Sequence, residues 1–413
     1  MRRFRHSVLV LFVGLTFLPG LILPTLPSTS AQQAQPAPTT LQLKGLKERV
    51  TIRRDERGIP YIEAKNDEDL YFAQGYATAS DRLWQMDLFR RNARGELSEV
   101  LPKVPNSTAF DQDRLHRTLG YAHVVEAEFA QASPKARAVL ESYAAGVNAY
   151  IASLDQKSLP PEFQILRYTP KPWTPQDSLI IVKNFFEALS NTWRLDLMRE
   201  AMASLPAEKR LALLPEISPI DVLVVGTDSK ATPKTAQAQD STPLSGDSLT
   251  ALANEEQIQR AALEQLGLHA EGLAASNNWV VSGKRTVSGK PLLANDPHLA
   301  PSAPPIWYMV HLAAPGVRVA GVTAAGLPGV IIGHNDRIAW GFTNVGPDVQ
   351  DVYLEKFDPA NPTRYMTPSG WQDAKIRREE IKVRKGIADL SADTVVVEVT
   401  ETRHGPIVFE REG

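Results

Sequence analysis

Apolar and polar positions divide the chain into a helical first half and a strand-rich second half. From Asn66 on, Leu70, Phe72, Ala73, Tyr76 and Ala77, then Leu83, Met86, Leu88 and Phe89, recur at helical spacing. Asn66, three residues before Asp69, reads as the start of this helix and Gly95 as its stop. The same period predicts helices over 135–154, 176–189 and 195–205, and a shorter one over 254–266. Ahead of them, VTIRRDERGIPYIEA alternates as a strand pair turning at Glu56-Arg57-Gly58.

Beyond Ser276 the period changes from helical to alternating. Residues 279–281 and 291–294 flank a turn at Val287-Ser288-Gly289-Lys290, and 330–332 and 338–342 flank His334-Asn335-Asp336. Residues 351–357 and 394–399 also read as strands. Helices first and strands second predict an α+β fold. Between the halves, residues 226–249 are polar, small and proline-bearing without periodicity, which predicts a disordered or surface excursion.

Composition narrows the function. The chain has 413 residues, 43% of them hydrophobic, enough for one large domain or two ordinary ones. Its net charge of -2 argues against a nucleic-acid partner. With no cysteine it has no disulfide, thiolate metal site or thiol nucleophile. Arg2, Arg3 and Arg5 precede an apolar stretch, Pro19-Gly20 interrupts it, and small residues follow at Thr29-Ser30-Ala31. That is the layout of a secretory signal over 1–31, with Ala31 before the cut. The alternative, a membrane anchor, meets a run that is short for a span and broken by proline. The expected location is therefore periplasmic or secreted, with no stable membrane span once the signal is removed.

The candidate chemistry begins at Ser276, at the head of the strand NNWVV. A hairpin matching Ser276 with His298 centres on Val287 and brings Asn295-Asp296-Pro297-His298 back beside the serine. A second hairpin, centred on Asn335-Asp336, returns Thr343-Asn344-Val345 level with Leu327-Pro328. A serine, a histidine and an asparagine-bearing loop then share one sheet end. An internal serine has no base of its own. If the peptide bond before Ser276 were cut, the freed α-amine, with a pKa of about 8, would accept the hydroxyl proton. A backbone N–H at Asn344 or Val345 would supply an oxyanion donor.

Taken in order, RRDERGIPYIEA, DLYFAQGYATASDRLWQMDLFRRNARGELSEVLP, SNNWVVSG, NDPHL and IIGHNDRIAWGFTNVGPDVQDVY resemble the penicillin acylase family of N-terminal nucleophile hydrolases. The resemblance implies an αββα four-layer sandwich and a precursor cut into α and β chains. It sets a mainly helical α-chain region at 32–225, a removed spacer at 226–275 and the start of the β-chain at 276–413. By the same resemblance Ser276 is the nucleophile, and His298 sits where members use a pocket residue that hydrogen-bonds the new amine. Histidine there is usual in acyl-homoserine lactone and cephalosporin acylases, glutamine in penicillin G acylases. Asn344 and Val345 match the oxyanion loop. Leu299 and Ile332 match the acyl-side pocket, where aliphatic side chains suit an alkyl chain at least as well as a phenylacetyl ring. A structural calcium ion is implied, with Asp348, Asp351, the Gln350 carbonyl and Asp196 as ligands, all of them oxygen donors.

Plainer readings stand beside these. Asp196 can pair with Arg194 or Arg199, Asp348 and Asp351 can form a solvated turn, and His298 can be an ordinary strand-end histidine. The DRLWQMDLFRR run reads as core and ion-pair scaffold. The family's second oxyanion donor, an asparagine, and the arginine that organises it fall beyond Gly413. The expectation for these 413 residues alone is half an oxyanion hole, poor folding and little activity. A different class of function, a non-catalytic periplasmic amide-binding relative, keeps the pocket without the cut.

Overall fold

The computed structural model describes residues 39–102, 108–190, 192–203, 205–213, 257, 258, 260, 276–299, 301–344 and 349–410. The elements below lie in the unit that begins at Leu43. The expected signal segment, nearly all of the expected spacer, and the site candidates Val345 and Asp348 fall outside the described residues.

The predicted strand pair forms as β1 (Thr51–Arg54) and β2 (Pro60–Glu63), antiparallel, with Thr51 opposite Glu63. The long helix follows as α1 (Asp67–Arg94). Its ends are where the sequence places them. Asn66 Oδ1 accepts from Asp69 N at 2.8 Å, and Gly95 turns left-handed at φ 65° while its N–H returns to Asn92 O.

Two helices follow that the apolar period does not reveal, α2 (Ala109–Leu119) and α3 (Tyr121–Gln131). The reason is chemical. The inward face of α2 is Gln112, Asp113 and His116 beside Ala109, so a mostly polar face is buried and apolar spacing carries no signal. Then come α4 (Pro134–Ala152), the short α5 (Pro161–Leu166), α6 (Pro175–Leu189), α7 (Trp193–Ala201) and α8 (Ala207–Leu213). Three of these match the predicted helices to within a few residues at each end.

Helices α1 and α4 touch backbone to backbone. A Cβ on Gly146 would stand 1.8 Å from Phe72 O, and one on Gly75 2.1 Å from Tyr143 O, so only glycine permits the contact. Around it lies the main core, including Met86, Phe89, Tyr143, Val147, Phe163 and Ile181. The same helix buries charge. Asp87 accepts from Arg90 Nη2 at 2.6 Å, Arg91 Nε at 2.8 Å and Tyr168 OH at 2.7 Å. Burial works against the ionised carboxyl, but Arg90 and Arg91 outweigh it and hold Asp87 below the usual carboxylate range.

The second half supplies β3 (Asn277–Val281), β4 (Leu292–Asp296), β5 (Trp307–Ala314), β6 (Val317–Ala324), β7 (Ile332–Asn335) and β8 (Ala339–Trp340). After them come β9 (Phe357–Asp358), β10 (Asn361–Thr367), β11 (Gly370–Asp373), β12 (Lys375–Arg384), β13 (Ala392–Thr402) and β14 (Gly405–Pro406). The principal sheet has six strands in the order β1-β2-β5-β6-β7-β8, antiparallel except that β2 and β5 run parallel. The first strand pair thus completes a sheet built mainly from the second half. Tyr308, Val310 and Leu312 of β5 turn one face of this sheet onto Leu70, Ala73 and Ala77 of α1.

Three expectations need correcting. Residues 351–356 carry no strand, and extended pairing begins only at Phe357. The β5–β6 hairpin, turning at Gly316 (φ 80°), lies in a stretch for which no strand was predicted. The β3–β4 hairpin is a two-stranded sheet of its own, so its serine end does not share a sheet end with β7–β8. The observed architecture is a mixed α/β fold with helices packed on one face of the six-stranded sheet.

Candidate functional site

The Ser276 region forms where three short segments meet. Asn277 pairs with Asp296 and Val281 with Leu292, one residue away from the register that would match Ser276 with His298. The shift still brings His298 alongside the serine, because the His298 backbone N–H donates to Ser276 Oγ at 3.2 Å. The imidazole is engaged elsewhere: Nε2 lies 3.1 Å from Asp296 Oδ2, on a half-exposed rim. Asp296 Oδ1 accepts from Asn277 N at 3.1 Å. One carboxylate therefore orients both the histidine and the start of the nucleophile strand.

The other side comes from β8 and the residues after it. The β7–β8 turn centres between Asp336 and Arg337, one residue later than predicted, with Gly333 opposite Trp340. Asn335 Oδ1 accepts from Arg337 N and Ile338 N, each at 2.8 Å, which closes the turn. Past β8, Thr343 Oγ1 donates to Ser276 O at 3.1 Å. Asn344 therefore lies one residue from a direct contact with Ser276, and its side-chain amide donates to Leu189 O at 2.8 Å at the end of α6.

Asn295 was not among the candidates, yet it joins the two hairpins. Its Nδ2 donates to Asn277 O at 2.8 Å and to Phe342 O at 3.0 Å, and its Oδ1 accepts from Phe342 N at 3.1 Å. A side-chain amide here does the work of a missing strand ladder. It needs close approach, and a Cβ on Gly341 would stand 2.7 Å from Asn295 Cβ. The asparagine of NDPHL and the glycine of WGFTN are legible in the sequence, but their meeting is not.

Beside His298 lies an open cavity of about 290 Å³ lined by Pro297, Leu299, Pro301, Pro305, Ile306 and Trp307 with Ser302. Six of these seven side chains are apolar, which suits hydrocarbon with a polar end at the serine. Leu299 lies on this wall as expected. Ile332 does not: it pairs with Val322 in the sheet, and its neighbour Ile331 packs on the core that Leu299 and Trp307 also touch.

The proposed metal ligands are less assembled. Asp196 pairs with Arg199 at 2.9 Å, one of its two plainer readings, and Asp351 is exposed. Gln350 Oε1 is buried and without a hydrogen-bond partner among the described residues, an oxygen acceptor of the kind a hard cation takes. Among the described residues no group of three or more acidic or histidine side chains clusters closely enough to hold an ion. No helix among the described residues is long and apolar enough to cross a membrane.

The sequence model of the penicillin amidase family matches residues 49–413. Acyl-homoserine lactone acylase QuiP of Pseudomonas aeruginosa is 34% identical over 394 residues, which are 93% of this chain and 42% of that protein. Penicillin acylase 2 proenzyme of Pseudomonas sp. strain SE83 is 33% identical over 90% of this chain and 45% of its own length. Penicillin G acylase of Escherichia coli is 29% identical over 87% of this chain and 45% of its own. The chain thus spans less than half the length of these curated relatives. A solved thermostable penicillin G acylase from Alcaligenes faecalis aligns over 43% of this chain and 95% of its own, at 27% identity and a TM-score of 0.37.

Proposed function

The chain belongs to the penicillin amidase family, and on that premise we propose that it carries the nucleophile-bearing part of an exported, self-cleaving amidohydrolase. The peptide bond before Ser276 breaks, and the freed α-amine becomes the base. With a pKa of about 8 it is partly neutral at neutral pH and accepts the Oγ proton as the hydroxyl attacks an acyl amide carbonyl. The same proton then goes to the leaving amine, and water releases the acyl group from the serine. His298, oriented by Asp296, attends the new amine, and a backbone N–H at Asn344 or Val345 serves as the oxyanion donor. The whole protein forms the αββα sandwich and keeps its α and β chains together through the six-stranded sheet, to which β1 and β2 contribute.

One observation supports this reading above the others. Ser276, the His298 N–H, Thr343 and an apolar cavity converge at one place, although they are up to 67 positions apart in the chain. The aliphatic wall at Leu299 and Ile306 favours alkyl acyl groups, and two relatives are named for acyl-homoserine lactones and penicillins. We assign the first of these substrate classes. A structural calcium held by Asp196, Asp348, Gln350 and Asp351 completes the proposal. It predicts heat on titration with calcium chloride that Asp351→Ala abolishes.

The deciding experiment is N-terminal sequencing of the expressed protein. A chain beginning at Ser276, and none in Ser276→Ala, supports the hydrolase. Intact protein that still binds acyl amides would replace it with a binding protein.

A further inference from the structure

The wall of the cavity is fastened by residues distant in sequence. The segment from Pro297 to Trp307 contains four prolines, Pro297, Pro301, Pro304 and Pro305, so it has few N–H groups with which to brace itself. Two side chains of α1 do the bracing. Arg82 Nη1 donates to Pro305 O at 2.8 Å, and Gln85 Nε2 donates to Pro305 O at 3.2 Å and Pro304 O at 3.4 Å. Arg82 Nη1 also donates to Gln85 Oε1 at 3.1 Å, so the two side chains form one fork.

Helix α1 leaves helical geometry at this residue, Arg82 having φ −138° and ψ 16°. Such a break has a local cause, and here the Asp81 and Arg82 side chains both reach out of the helix while Leu83 stays in the core. Asp81 Oδ2 accepts from Tyr308 OH at 2.7 Å and from Arg54 Nη1 at 2.8 Å, while the Arg82 guanidinium lies over the Tyr308 ring. Pro305 and Tyr308 are therefore both tied to the kink, and the two residues between them, Ile306 and Trp307, line the cavity.

We infer that Arg82 and Gln85 are positioning residues which, by fixing the Pro305–Tyr308 wall, set the length of acyl chain the cavity accepts. The inference rests on reading this cavity as the acyl site. It gives the polar residues of the DRLWQM stretch a role distinct from that of Leu83, Trp84 and Met86, which pack in the core. A wall held at two points keeps one depth, whereas a wall released at Pro305 adopts several and discriminates poorly.

The test separates binding from hydrolysis. The full chain carrying Ser276→Ala is titrated with straight-chain carboxylates from butanoate to dodecanoate, followed by tryptophan fluorescence. One length should bind best. Arg82→Met and Gln85→Met should each weaken that length about tenfold, roughly one hydrogen bond, and flatten the series. Arg82→Lys, which keeps a donor for Pro305 O, should restore most of the preference. Unchanged melting temperatures show that the variants are folded. The same length series under both methionine variants, or no saturable binding of any carboxylate by the parent, overturns the inference. In parallel, the protein with Ser276 intact is sequenced from its N-termini. No chain beginning at Ser276 alongside a shifted binding series sinks the hydrolase reading and leaves this inference standing. Cleavage before Ser276 with an unshifted series does the reverse.

Discussion

The α1–α4 scaffold and the Ser276 hairpin are held together by opposite means. In the scaffold, glycines bring two backbones into contact, an apolar core closes around them, and every charge on Asp87, Arg90 and Arg91 has a buried partner. In the β3–β4 hairpin, Trp279 is 55% exposed and Val280 70%, and neither belongs to a core cluster. That hairpin is placed by the hydrogen bonds of Asn295 with Phe342 and by the Thr343 hydroxyl donating to Ser276 O. The contrast teaches that stability and site geometry are encoded in different residues. A scaffold mutation should cost folding energy, and a hairpin mutation should cost alignment.

The strongest test of that division is Gly146→Val. A side chain forced against Phe72 O must push α1 and α4 apart, and the expected cost is ~4 kcal/mol or more in urea denaturation. Asp87→Ala should follow, losing about 3–5 kcal/mol because two buried guanidinium groups lose their carboxylate. Asn295→Ala should break the pattern in the other direction. Its urea midpoint should change little, while cleavage before Ser276, timed on gels, slows on the order of 100-fold for a nucleophile strand set out of line. A similar loss of stability at Asn295 and at Asp87 would erase the distinction.

A pH series sharpens the scaffold side. His116 is fully buried, with Nε2 2.9 Å from Glu187 Oε2 and Nδ1 at Asn92 O. Burial disfavours the imidazolium, but Glu187 and the Asn92 carbonyl outweigh it and raise His116 above 6.5. A raised folded-state value means that this stabilisation is fully present below pH 6.5 and is lost as pH rises through the raised value. The melting-temperature gap between the parent and His116→Asn should therefore narrow as pH rises across that window. The smallest effect belongs to Trp279→Ser, expected within ~0.5 kcal/mol in the same denaturation assay, since the exposed indole fills no core.

Much of the fold was legible without coordinates. Asn66 and Gly95 bracket α1 because capping is local chemistry, and the period of α4 survives because its inward face is apolar, whereas α6 buries Asp177, Lys183, Asn184 and Glu187 beside Ile180 and Ile181. Helix α2 was not legible, because Gln112, Asp113 and His116 point inward. Asp113 illustrates what that entails: burial pushes its carboxyl up to about 6 even though Ser98 and the Leu97 N–H donate to it. Part of the site was legible as well. Ser276 and His298 come together through the hairpin, but the register slips by one residue and the histidine arrives by its backbone.

By itself the sequence determined the local matters: caps, turns, periods, the motif order that marks the family, and the residue types fit for nucleophile, base and oxygen ligands. Each depends on residues within a few positions of one another, where covalent geometry and hydrogen bonding leave little choice. Tertiary structure alone decided that Asn295 reaches Phe342, that Gly341 makes room for it, that Ile332 pairs with Val322 in the sheet and does not line the cavity, and that Arg82 grips Pro305 from 223 residues away. Such contacts depend on where whole elements pack, and a one-residue slip or a single kink redirects a side chain without leaving a trace in the local pattern.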